Sequence, residues 1–266
     1  MAEADGRDLL ARALDRRAAG ARPVSLWLRD DDAAGDRPAL RRLIELAGAH
    51  GVAPVIAAIP GRARDDLAGA LDGGAARVAV HGARHADHAL PGARKSELGG
   101  ERPADLVLAE LAHARRRLAR LFGDRLLPML VPPWNRIAAE LVPRLSEAGF
   151  TALSVFGPVS RAPAAPGVCV VNTHIDIIDW RAGRTGRVPD ALFQELAHAL
   201  LEPPDRDPEQ PLGILTHHLD HDRACWRFLE DLFALAAGHP GARWPAPGDL
   251  VRDGRAHGPA GAIVAG

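Results

Sequence analysis

Seven short apolar runs recur along the chain, at residues 24–29, 53–59, 77–80, 126–131, 151–155, 168–173 and 212–216. They have the length of strands and the apolar continuity of strands covered on both faces. Longer stretches with apolar residues at helical spacing lie between them, at 38–50, 104–122, 137–148, 190–201 and 222–237, after an amphipathic segment at 6–20. Strands that alternate with helices in this way form parallel sheets, because each crossover returns the chain to the same end of the sheet. A length of 266 residues suits a single α/β barrel. The expected organisation is an N-terminal helix at 1–22, a barrel at 23–250 and a low-complexity tail without fixed structure at 251–266.

The polar residues gather where the runs end. Asp30, Asp31 and Asp32 follow the first run, His81 the third, "VPPWNRI" the fourth, His174 and "DIIDW" the sixth, and "LTHHLDHD" closes the seventh. In a parallel barrel those ends converge on one mouth, which is where catalytic groups sit. Three adjacent carboxylates repel one another unless water or a cation intervenes. One of them is explained as a helix cap; a metal ion explains more. In "HGARH", His81 and His85 reach one ion if the segment turns helically, and a carboxylate from another strand end completes a two-His, one-carboxylate set with open positions. His88 follows closely and is a candidate to contact substrate or orient the loop. Of His217 and His218, strand alternation turns one toward the mouth, where imidazole suits a general acid. Asp176 and Asp179 are candidates to orient that histidine or to cap the next helix. Trp134 offers a flat face to a sugar ring, Asn135 a hydrogen bond, and Arg136 a cation near the acids.

Charge excludes little but points away from some partners. The formal net charge is −1, so no basic field draws the chain to nucleic acid or an anionic membrane. No apolar run approaches a membrane span, and the first residues lack the pattern of a signal peptide, so a cytoplasmic protein is expected. The two cysteines, Cys169 and Cys225, read as buried free thiols. The polar, Gly-rich stretch at 90–105 is either a substrate loop or an ordinary surface loop.

With these residues in place, the chain resembles the polysaccharide deacetylase family, the NodB-homology or carbohydrate esterase 4 group, from "LRDDDA" to "THHLDHD". The resemblance implies a distorted (β/α)7 barrel and a divalent metal, most often zinc. It implies Asp31 as base and Asp32, His81 and His85 as metal ligands, with Asp30-Asp31 as the other register of the aspartate pair. It further implies "DIIDW" as the fourth motif and His217 as the general acid of amide hydrolysis on an N-acetylated amino sugar. Two departures stand out. Gly82 replaces a hydroxyl residue in the second motif, and the Arg that opens the third motif is missing near 130–131, leaving Arg136 or Arg29 to stand in. Other readings are a non-catalytic carbohydrate-binding barrel, a hydrolase of a small non-sugar C–N bond, and a non-haem iron oxygenase with the same ligand set.

Overall fold

The computed structural model describes residues 5–158, 167–201 and 210–253. Its elements run α1 (Gly6–Ala19), β1 (Val24–Ala33), α2 (Pro38–Ala49), β2 (Val55–Ala58), α3 (Asp66–Ala70), β3 (Arg77–His81), α4 (Ala104–Phe122), β4 (Leu126–Val131) and β5 (Ala152–Leu153). They continue with β6 (Cys169–Val170), β7 (Ile175–Asp176), β8 (Ile178–Asp179), β9 (Thr185–Gly186), α5 (Pro189–Leu201), β10 (Leu212–Thr216), α6 (Arg223–Ala236), β11 (Ala242–Arg243) and α7 (Pro247–Asp253). The main sheet is parallel, in the order β6-β5-β4-β3-β2-β1-β10-β7. Its two end strands belong to one extended stretch of chain. Val171 and Thr173 donate to the carbonyls of Leu153 and Val155 at 2.9 and 3.0 Å, while His174 and Ile177 donate to those of Gly213 and Leu215 at 2.7 and 3.1 Å. That stretch therefore joins β5 to β10, and the sheet closes as a distorted (β/α)7 barrel in one domain.

Alternation along each strand sorts the side chains into an interior and a helix-facing layer. On β1, Leu26 and Leu28 pack outward with α1, α5 and α6, whereas Trp27 points into a barrel core shared with Val55, Ala57, Ala79, Met129 and Val171. Trp27 donates its indole N–H to the carbonyl of Asn172 at 3.2 Å. Gly213 lies beside the ring, and a Cβ there would come within 2.5 Å of Trp27 Nε1, so only glycine fits. Leu250 and Val251 of α7 join this interior cluster, so the helix continues across the boundary expected at 251. Residues 254–266 of the expected tail lie outside the described residues.

One expected helix is shortened. The stretch 137–148 is helical only over Val142–Ala148, as a 3-10 helix. Its first residues are drawn into a parallel bridge between Leu98 and Ile137, with the Ala138 N–H on the Leu98 carbonyl at 2.7 Å. Cys169 and Cys225 are buried and free. No helix among the described residues is long and apolar enough to cross a membrane.

A buried ion pair ties β1 to β10 on the helix-facing side. Asp30 and His218 are 0% and 1% exposed. His218 Nδ1 lies 2.6 Å from Asp30 Oδ2, and the Thr216 hydroxyl and the His218 N–H both donate to Asp30 Oδ1, at 2.7 and 2.8 Å. Burial works against the Asp30 carboxylate, but the charge and hydrogen bond of His218 outweigh it and hold the carboxyl below its ordinary 3.8. Burial also works against a charged His218, and Asp30 outweighs it in turn, lifting the imidazole above its ordinary 6.5. The histidine thus contributes stability below 6.5 that is lost as pH rises through its raised value. The carboxylate contributes stability above 3.8 that is lost as pH falls through its depressed value. Removing one partner of a buried pair costs about 3–5 kcal/mol. His218→Ala is expected to lower the urea midpoint accordingly and to flatten the alkaline decline of stability; an unchanged midpoint would show the pair to be idle.

Candidate functional site

The three aspartates at the end of β1 go three ways because the strand is bulged. β1 pairs with β2 at Arg29↔Val55 and Asp30↔Ile56, then at Ala33↔Ala58, so one extra residue is inserted on β1. A bulge of this kind re-aims side chains. Regular alternation would send Asp32 outward with Asp30; here Asp32 takes φ 71°, and both Asp31 and Asp32 line the mouth. Asp30 remains on the outer face with His218.

Asp31 is met by Arg29, two residues back on the same face. Arg29 is 0% exposed, and its Nε and Nη2 lie 2.9 and 3.0 Å from the two carboxylate oxygens of Asp31. The same guanidinium donates to Ser154 Oγ at 2.8 Å and to Asn135 Oδ1 at 2.7 Å. Four contacts hold a planar fork that no ammonium group could match. The cation beside the acid is therefore Arg29. Arg136, the other candidate, lines the cleft but donates to the Lys95 carbonyl at 2.7 Å.

Asp32 faces two imidazoles. Its Oδ1 lies 3.2 Å from His81 Nε2 and 3.1 Å from His85 Nε2. His81 Nδ1 is 3.0 Å from the Val131 carbonyl, which only accepts, so that nitrogen carries the ring proton. A neutral His81 then turns a lone pair on Nε2 toward a carboxylate, an arrangement that demands a cation between them. Burial opposes a charged His81, yet Asp31 and Asp32 outweigh it and raise its pKa; burial likewise opposes the Asp32 carboxylate, and the two histidines outweigh it and lower its pKa. A proton answers this demand for one ring. A divalent ion answers it for both, and the three donor atoms lie within 4.8 Å of one another, close enough to share one. The residues present fit a metal ion.

The remaining wall is aromatic and strained. Trp134 and Asn135 both have left-handed backbone, at φ 54° and 57°, as does His85 at 57°. With Asp32, these are four of the six non-glycine residues of positive φ among the described residues, and such strain collects at functional sites. The Trp134 ring sits 4.3 Å from that of His85. Opposite, the β8–β9 hairpin carries Trp180, which donates to Asp176 Oδ2 at 2.8 Å and meets His217 edge-on, the ring centres 4.6 Å apart. Asp176 also accepts the Ile178 N–H at 3.0 Å. Burial raises its carboxyl, against the opposing pull of His217. Together these groups enclose a cleft of about 1490 Å³.

Of the residues singled out from the sequence, Asp31, Asp32, His81, His85, Trp134, Asn135, Arg136, Asp176, Asp179 and His217 all line this cleft. Three have partners that bear on their expected roles. Asp179 Oδ1 accepts the N–H groups of Arg181 and Ala182 and so caps the hairpin turn, leaving Asp176 beside His217. Asn135 spends its oxygen on Arg29. His88 is exposed and is not among the cleft-lining residues; its N–H donates to the Ser96 carbonyl. The sequence reading missed Ser154, whose partner Arg29 lies 125 positions away. It also missed Glu97, a buried acid inside the stretch read as a surface loop.

No family model matches the sequence, and no curated protein matches it. Solved structures do. A family 4 carbohydrate esterase from Streptomyces lividans, in complex with acetate, superposes with a TM-score of 0.52 at 14% identity, covering 82% of this chain and 90% of that one. The polysaccharide deacetylase Bc1974 from Bacillus cereus gives 0.53 at 16% identity, covering 84% and 91%. A family 4 pseudoenzyme from Bacillus anthracis, BA3943, gives 0.56 at 16% identity, covering 86% and 66%. The chain shares the fold of these three proteins.

Zinc added to the metal-free protein is expected to bind at one equivalent per chain. Asp32→Ala and His81→Ala should each weaken it by at least about 100-fold, since either removes a ligand of a three-donor site. Calorimetric titration measures both, and tight binding by both variants would place the ion elsewhere.

Proposed function

We propose that this chain is a metal-dependent hydrolase of the polysaccharide deacetylase superfamily that removes an N-acyl group from an amino sugar or a related amide. The observation that carries the reading is the meeting, in one cleft, of an arginine-held acid, a two-His, one-carboxylate cluster and a buried histidine on the far wall. Imidazole and carboxylate donors in a small set with open positions suit zinc. When bound, the ion supplies Lewis-acid polarisation of the acyl carbonyl and of the attacking water.

The residues of the chain divide the proton transfers. Asp31 lies next to the cluster with both oxygens oriented by Arg29, and it takes the proton of the attacking water. Arg29 remains paired with Asp31 and fixes its angle. The new C–O bond forms at the acyl carbon as the C–N bond breaks. His217 is placed to give its proton to the departing amine, with the Asp176 carboxyl nearby on the same wall. The products are a carboxylate and a free amine. Trp134, and the exposed faces of Trp180 and Phe156 at the cleft wall, suit the flat apolar face of a sugar ring. A non-catalytic binding barrel is the second reading, favoured by the pseudoenzyme among the structural neighbours.

Acetate release from a panel of N-acetylated sugars, with the zinc-loaded protein, separates the two. Asp31→Asn and His217→Ala should each lower kcat by about 100-fold or more with zinc still bound, as loss of a general base or acid does. Arg29→Lys keeps the charge but not the fork, and about a 100-fold loss of kcat is expected from the misplaced carboxylate. Glycan binding without turnover on any substrate would favour the binding barrel.

A further inference from the structure

The two histidines of the candidate centre are held by different means. His81 ends a regular strand, and its ring is aimed by the hydrogen bond to Val131. His85 lies beyond the strand on left-handed backbone, and among the described residues its ring has no hydrogen bond other than toward Asp32. Its direction depends on the backbone that carries it.

That backbone is gripped by a buried carboxylate. Glu97 is 2% exposed; its Oε2 accepts the Ala83 N–H at 3.1 Å, and its Oε1 accepts those of Arg84 at 2.7 Å and Ala86 at 3.4 Å. The donors lie on both sides of His85. A buried acid is costly unless it is met by a cation or by hydrogen bonds. No Lys, Arg or His forms an ion pair with Glu97 among the described residues, so backbone donors do all the compensating. Glu97 is itself pinned, because the next residue, Leu98, bridges to Ile137 just past the loop that carries Trp134 and Asn135.

Gly82 completes the arrangement. It has φ 61°, and a Cβ there would fall on Glu97 Oε2 and come within 2.6 Å of Pro133 Cγ. The position where the resembled family carries a hydroxyl residue is thus left without a side chain, and the carboxylate takes the space. We infer that Glu97 is a positioning residue for the metal centre, holding the 83–86 backbone so that His85 Nε2 meets the ion together with Asp32 and His81. This rests on reading those three residues as metal ligands.

The test compares wild type, Glu97→Gln and Glu97→Ala by three readouts: zinc affinity from chelator competition, the visible spectrum of the cobalt(II) form, and thermal unfolding of the metal-free protein. Loss of a residue that orients a ligand weakens metal binding by about 10–100-fold. That loss is expected for Glu97→Ala at unchanged stoichiometry, with an altered cobalt spectrum. Glu97→Gln keeps one carbonyl oxygen for the N–H groups and should lie between, and it carries the test if the alanine variant does not fold. A lowered unfolding temperature with wild-type zinc affinity and cobalt spectrum would make Glu97 a loop stabiliser and overturn the proposal. Failure of the wild type to bind either ion would overturn the metal centre instead.

Discussion

A strand that carries Arg29, Asp30, Asp31 and Asp32 into the top of a barrel is tolerable only if each charge is met. Taking charges out of water costs several kcal/mol per ion, so the surroundings must supply partners at fixed places. The structure meets that requirement in three directions: His218 on the outer face, Arg29 within the barrel, and the imidazole pair across the bulge. Four other strands or their following loops are committed by this demand. β10 delivers His218, β5 leads to Ser154, β4 leads to Asn135, and β3 ends in His81. The mouth of the barrel is organised around the end of β1.

The fold by itself does not say whether the mouth works as a catalyst. Structures of similar fold include esterases and deacetylases as well as a pseudoenzyme, and function belongs to the site, not to the scaffold. The case for chemistry comes from features that packing does not need. Left-handed backbone at Asp32, His85, Trp134 and Asn135 costs on the order of 1–3 kcal/mol for each residue. A protein that only had to fill a barrel would relax that strain. It persists at two residues that carry donor atoms, Asp32 and His85, and at two of the loop beside them.

Much of this was legible in the sequence because strand period and strand ends are local signals. The seven apolar runs fall on seven of the eight strands of the main sheet, β7 lying just beyond the sixth run, and α4 spans 104–122 as its apolar spacing implied. The H-x3-H spacing brought His81 and His85 together, although through a turn with φ 57° at His85 and not a helical face. Boundaries failed where a distant partner intervened. Residues 137 and 138 have helical character, but Leu98 captures them in a bridge. The Asp triplet could not be resolved by pattern, since a bulge is a property of two strands and its register is visible only when both are paired. Glu97 looked like one acid in a polar loop; its burial depends on Gly82 and on the backbone of a loop that closes over it.

Both departures from the resembled motifs have the same explanation. The proposed chemistry calls for a guanidinium at Asp31 and a rigid support under His85, and a barrel offers more than one route to each point. Interior positions of neighbouring strands converge, so an arginine two residues before the acid on β1 reaches it as well as one from the end of β4 could. Ala57, Ala79 and Ala152 of the barrel core are small, and the Ser154 hydroxyl accepts from the guanidinium. In the same way a glycine at 82 and an acid at 97 occupy the volume of one side chain at 82. A motif records residue order along the chain, whereas the site constrains atoms in space. Substitutions that exchange one route for another erase the first and leave the second intact.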